Sequence, residues 1–140
     1  MSERRAFESI QPPGWKPPRG YSNGIVVPPG ARLCFVAGQI AWDAEQRLVG
    51  AGDFAVQFRQ ALANVVAVVR AAGGAPADLA QLTVFVTDKR QYAASLRELG
   101  AAWRDLVGTT YPAMALVEVA DLLEPGALVE IQGIAALAPR

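Results

Sequence analysis

The chain has 140 residues, with 13 lysines and arginines against 13 aspartates and glutamates, no histidine and one cysteine. That length suits a single domain over residues 1–140, in which folding buries about two-thirds of the surface that the unfolded chain exposes. Zero net charge supplies no field to gather phosphates or an anionic membrane, and the missing histidine excludes Ser-His-Asp and Cys-His catalysis as well as the usual zinc and iron ligand sets.

Six of the ten prolines fall before residue 30, so residues 1–20 are expected as an extended, Pro-rich N-terminal segment along the surface and not a helix or central strand. Its opening, "MSERRAFESIQPPGW", lacks the apolar core of a signal peptide, and no apolar run approaches the ~20 residues of a membrane span; a cytoplasmic protein is the expectation. "SNGIVVPPGARLCFVAGQI" carries two β-rich runs around Pro28-Pro29-Gly30, where proline and glycine suit a type II turn. A hairpin is predicted there. Cys34 on its second strand reads as a small buried hydrophobe and cannot form an internal disulfide.

Asp53 is a good helix N-cap. Phe54, Phe58, Ala61, Leu62, Val65, Val69 and Ala72 then form one helical stripe, which Gly73-Gly74 stops. "LTVFV" (82–86) reads as a strand. Asp88 caps a second predicted helix, whose stripe is Tyr92, Leu96, Leu99, Trp103 and Leu106, and "TYPAMALVEVADLLEPGALVEIQGIAAL" (110–137) reads as two alternating strands joined by a turn. The order is β-β-α-β-α-β-β, an α+β fold with a mixed sheet and both helices as crossovers on one face. In the last strand Val129, Ile131, Gly133, Ala135 and Leu137 point one way while Leu128, Glu130, Gln132 and Ile134 point the other. Neither side reads as solvated, so the face without helices needs a partner, and self-association is the economical one.

The pieces "GYSNGI" (20–25), "FVAGQIAWDA" (35–44), "FAVQFRQALANVVAVVRAAGG" (54–74), "LTVFVTD" (82–88) and "YPAMALVEVADLLEPGALVEIQGIA" (111–135), in this order and spacing, resemble the RidA/YjgF reactive-intermediate deaminase family along nearly the whole chain. The resemblance implies a chorismate-mutase-like fold, a homotrimer with small-molecule clefts between subunits, and hydrolysis of enamines or imines such as 2-aminoacrylate to a keto acid and ammonia. No cofactor, metal, nucleic acid or membrane is expected.

In that family an arginine grips the substrate carboxylate and a glutamate handles the attacking water. The arginine's run is Pro112-Ala113-Met114-Ala115 here, so Met114 replaces it. Glu130 in "VEIQ" aligns with the glutamate, after a turn one residue longer than in archetypal members. Tyr21 and Gly38 match the pocket tyrosine and glycine, Ala37 stands for the usual serine, and Leu96 for an asparagine of the second helix. Glu130 is therefore the catalytic candidate, and Tyr21, Ala37, Gly38, Leu96 and Met114 are the substrate-binding candidates. Arg97 or Arg104 could restore the lost cation. By residue type alone, Glu130 fits an edge or salt-bridged glutamate, Met114 a core filler and Tyr21 a packing residue; Glu118 reads as structural. Three activities stay open: a hydrolase or deaminase, a non-catalytic small-ligand-binding trimer using the same clefts, and a ribonuclease or translation inhibitor, against which the neutral charge counts.

Overall fold

A computed structural model describes residues 7–140; the first six residues of the Pro-rich segment lie outside the described residues. The elements are β1 (Glu8–Ile10), β2 (Gly24–Val26), β3 (Arg32–Gln39), α1 (Phe54–Ala71), a 3₁₀ turn (Pro76–Asp78), β4 (Leu79–Val86), α2 (Lys89–Ala94), α3 (Leu96–Leu106), β5 (Ala113–Glu118) and β6 (Val129–Leu137). The architecture is α+β, and β3–β6 form one mixed sheet in the order β3-β6-β4-β5. Strand β6 lies antiparallel to both β3 and β4, and β5 runs parallel to β4. No helix among the described residues is long and apolar enough to cross a membrane.

Helix α1 follows the predicted stripe. The Asp53 carboxylate accepts the Val56 N–H, the stripe from Phe54 to Val69 is buried, and Gly73 leaves the helix at φ 91°. Five valines in one helix oppose its propensity, and tertiary burial overrides that preference. Val65 and Val69, with Val68 at the margin, pack with Val36, Leu82, Val84, Val86, Val129, Ile131, Ala135 and Leu137, which alternate along the sheet and point to one side. Fully burying each such aliphatic side chain stabilises the fold by about 1.5–3 kcal/mol.

Three expectations change. The Pro28–Ala31 turn exists, closed by the Ala31 N–H donating to the Pro28 carbonyl with Gly30 at φ 78°. Its flanking strands do not pair: β2 joins β1 in a separate two-stranded sheet, because strand β6 takes the inner edge of β3. The predicted second helix breaks at Ser95 into α2 and α3, leaving Leu96 exposed at the start of α3 instead of on its buried stripe. Strands β5 and β6 are not neighbours either, since β4 lies between them.

One fully buried polar residue interrupts the apolar face of α1. Gln57 donates from Nε2 to the Gly50 and Gly126 carbonyls at 3.2 and 3.0 Å, and its Oε1 accepts the Leu128 N–H at 2.9 Å. It joins the loop before α1 to the loop before β6. Replacing it with a similarly sized apolar residue orphans three backbone groups, each costing about 1–3 kcal/mol if left unpaired and dry. Gln57→Leu should therefore lower unfolding free energy by roughly 3 kcal/mol in urea denaturation, partial wetting of the loops reducing the sum. A change below ~0.5 kcal/mol, the range of an ordinary surface substitution, would show that the loops hold without the clamp.

Candidate functional site

On the sheet face away from the helices, Phe35 is 72 % and Leu33 53 % exposed, with Ala37 also exposed on the same strand. The ladder between β3 and β6 slips here: Val36 faces Gly133 but Gln39 faces Ile131, so β3 holds one extra residue. Such a bulge bends the strand and re-aims what it carries. Glu130 lies against Gly38, where a Cβ would stand 2.8 Å from its Cδ and 3.0 Å from Oε2. A side chain at position 38 would have to displace the carboxylate, which occupies that space. Glu130 is half-buried, and no hydrogen bond or ion pair engages it among the described residues. Ala37, Gly38 and Glu130 thus form one group.

Tyr21, Leu96 and Met114 form another. Met114 is in register with Leu82 and so points to the helix side of edge strand β5, half-buried against the core. It lines a groove of ≈ 560 Å³ together with Tyr21 and Leu96. Phe58, Tyr92, Trp103 and Tyr111 add aromatic surface beside the aliphatic Val84, Leu99 and Leu116. The Trp103 and Tyr111 rings stack with centroids 5.7 Å apart and 7° between planes, and the Trp103 Nε1–H donates to the Thr110 carbonyl at 3.1 Å. Burial pushes the Tyr92 phenol above its ordinary 10.0, so it is a neutral hydroxyl at physiological pH.

The N-terminal segment reaches this groove through Ser22. Its N–H donates to the Pro112 carbonyl at 2.9 Å, its Oγ donates to the Tyr111 carbonyl at 2.6 Å, and Ser22 bridges Ala113 in parallel. Residues 19–21 are thereby held beside β5, and Arg19 lines the groove with Tyr21.

The two groups lie on opposite faces of the sheet within one chain, and the structure does not bring Glu130 to Met114. Neither Arg97 nor Arg104 lines the groove; the Arg104 Nη1 folds back to 3.3 Å from where a Cβ on Gly100 would stand. Glu118 accepts the Lys89 N–H at 3.0 Å at the start of α2, a structural duty. Asp88 accepts the Arg90 N–H at the same helix start, and the Arg90 guanidinium holds its carboxyl below the usual range. Sequence reasoning missed Arg19 and Tyr111; the only signal was their adjacency to Tyr21 and Pro112.

Residues 14–137 match the family described as Endoribonuclease L-PSP. A RutC family protein of Pyrococcus horikoshii is 32% identical over 120 residues, 86% of this chain and 89% of that protein. The crystal structure of the conserved Rid family protein YyfB from Yersinia pestis is similar with a TM-score of 0.83 at 32% identity, covering 95% of this chain and 100% of that one. Escherichia coli TdcF, crystallised with bound serine, is similar with a TM-score of 0.67 at 32% identity, covering 96% and 99%.

The contact between Gly38 and Glu130 predicts a coupling. Gly38→Ala should destabilise the fold while Glu130 is present and cost markedly less in a Glu130→Ala background. A double-mutant cycle should give an interaction energy of about 0.5–3 kcal/mol, the range of residues in direct contact. Additive effects would mean that the carboxylate does not rest on this glycine.

Proposed function

Because the chain belongs to the Endoribonuclease L-PSP family, the Rid/YjgF group of proteins, we propose that it hydrolyses a small imine, enamine or related conjugated metabolite, with Glu130 handling the attacking water. The observation that carries this reading is the Glu130 carboxylate, which no hydrogen bond or ion pair engages among the described residues, held against Gly38 on the sheet face that the helices leave open.

Water adds to the imine carbon as Glu130 accepts its proton. Glu130 returns that proton to the nitrogen to give the carbinolamine, then passes the carbinolamine's hydroxyl proton to the same nitrogen, so that the C–N bond breaks, ammonia leaves and the C=O forms. An enamine enters the sequence after protonation at carbon. The atoms balance as one imine plus one water to one carbonyl compound plus one ammonia, without a cofactor.

The two half-sites meet only if a second copy brings its open face to the β5 edge of the first. A homotrimer with shared clefts satisfies this, and covers the exposed Phe35 and Leu33. The serine bound by TdcF supports a small ligand that carries a nitrogen and a carboxylate. A second reading, ligand binding without turnover, is favoured by the mostly apolar groove around Met114. The zero net charge weighs against ribonuclease activity despite the family's description, since phosphate backbones are gathered by lysine and arginine fields.

An ammonia-release assay over a panel of unstable imines and enamines tests the reading. Glu130→Gln keeps shape but removes the proton acceptor, and should lower the rate by roughly 10²–10⁴. Full retention rejects Glu130 as the water-handling residue.

Phe35→Asp places a charge in the proposed interface. Sedimentation should report a monomer and the assay a loss of turnover; a monomer with wild-type ammonia release would contradict a shared site.

A further inference from the structure

We propose that Arg19 supplies the cation that position 114 lacks, and that the groove beside β5 takes a planar, conjugated or aromatic monocarboxylate. The inference rests on the reading of this groove as the substrate half of the site and adds the chemistry that the substrate must have.

Arg19 is the one charged residue among those lining the groove, and no acidic residue lines it. No hydrogen bond or ion pair among the described residues engages its side chain. Of the other cations nearby, Arg59 pairs with Asp105 at 2.8 Å, and Arg104 does not itself line the groove, although its Nη1 lies near the wall residue Gly100. A guanidinium presents a planar fork that matches a carboxylate with two hydrogen bonds. The Arg19 side chain is exposed, and its stretch of backbone is tethered to β5 three residues on, where Ser22 is bonded through both its backbone and its hydroxyl.

The rest of the wall selects the body of the ligand. Met114 supplies a polarizable apolar surface where a guanidinium would have demanded a second anion, and thioethers pack well on aromatic rings. The stacked Trp103–Tyr111 pair and the Tyr21 ring offer flat surfaces that a conjugated occupant extends by stacking. A groove of ≈ 560 Å³ falls within the roughly 300–1,000 Å³ of sites for drug-sized ligands, and a three-carbon acid would leave most of it to water. One carboxylate, one flat apolar body and no second charge is the class that fits.

Calorimetric or NMR titration of the full chain with benzoate, benzamide and acetate tests this without any turnover. Benzoate should bind at least about tenfold more tightly than benzamide, which lacks the charge, and than acetate, which lacks the ring. Arg19→Gln should cut benzoate affinity roughly ten- to hundredfold, the range for hydrogen bonds to a charged group, and leave benzamide unchanged. Arg104→Gln should leave both unchanged. Equal loss of benzoate and benzamide in Arg19→Gln, no loss of either, or loss of benzoate in Arg104→Gln overturns the proposal, as does wild-type protein that binds no benzoate at millimolar concentration. Glu130→Gln separates the two readings: benzoate binding that survives it, with no ammonia release from any substrate by the wild type, refutes the hydrolase and leaves the groove assignment standing.

Discussion

Helix α1 holds the sheet's two site-bearing strands through polar side chains set in an otherwise apolar face. Gln57 ties down the entry to β6. One and two turns along, Gln60 donates to the Asn64 side chain at 2.9 Å, and the Asn64 Nδ2 donates to the Ile40 and Trp42 carbonyls at 3.0 and 2.9 Å, just past the end of β3. Apolar packing is non-directional and would tolerate a small slide of these strands. The amides are directional, and a slide leaves buried backbone groups unpaired. They therefore fix the register at which the β3 bulge presents Gly38 to Glu130.

On the proposed reading, the sheet also explains why no single chain carries a complete site. Alternation of side chains sends Met114 to the helix side and Glu130 to the open side, and β4 and the strand-to-strand spacing separate them further. A protein in which carboxylate capture and water handling stand on opposite faces can unite them only through another copy. On the proposed reading, association completes the chemistry as well as covering Phe35 and Leu33.

Much of this was legible in the sequence because it depends on local periodicity. The stripe from Phe54 to Val69, the Asp53 and Asp88 caps and the two faces of the last strand follow from spacing alone, and the order of the quoted segments led to the family that the comparisons show. The misses have a common cause. Pairing of β2 with β1, insertion of β6 between β3 and β4, and burial of Gln57 are decided by partners distant in sequence, which no window of neighbouring residues contains. The Ser95 break was missed because the stripe from Tyr92 to Leu106 continues in phase across it. Ala37, Gly38 and Glu130 form one group and Tyr21, Leu96 and Met114 another; that these are two separate groups within one chain depends on the strand order.

The Ser22 latch has a consequence for how such a protein diversifies. Everything that shapes the sheet and the packing of α1 lies after residue 30, whereas Arg19 and Tyr21 sit on a strap joined to β5 mainly through main-chain groups and one hydroxyl. Main-chain bonds do not read side-chain identity. The strap can change its residues while its attachment persists, so, on the proposed reading, ligand choice is free to drift over generations without drawing on the stability of the scaffold beneath it.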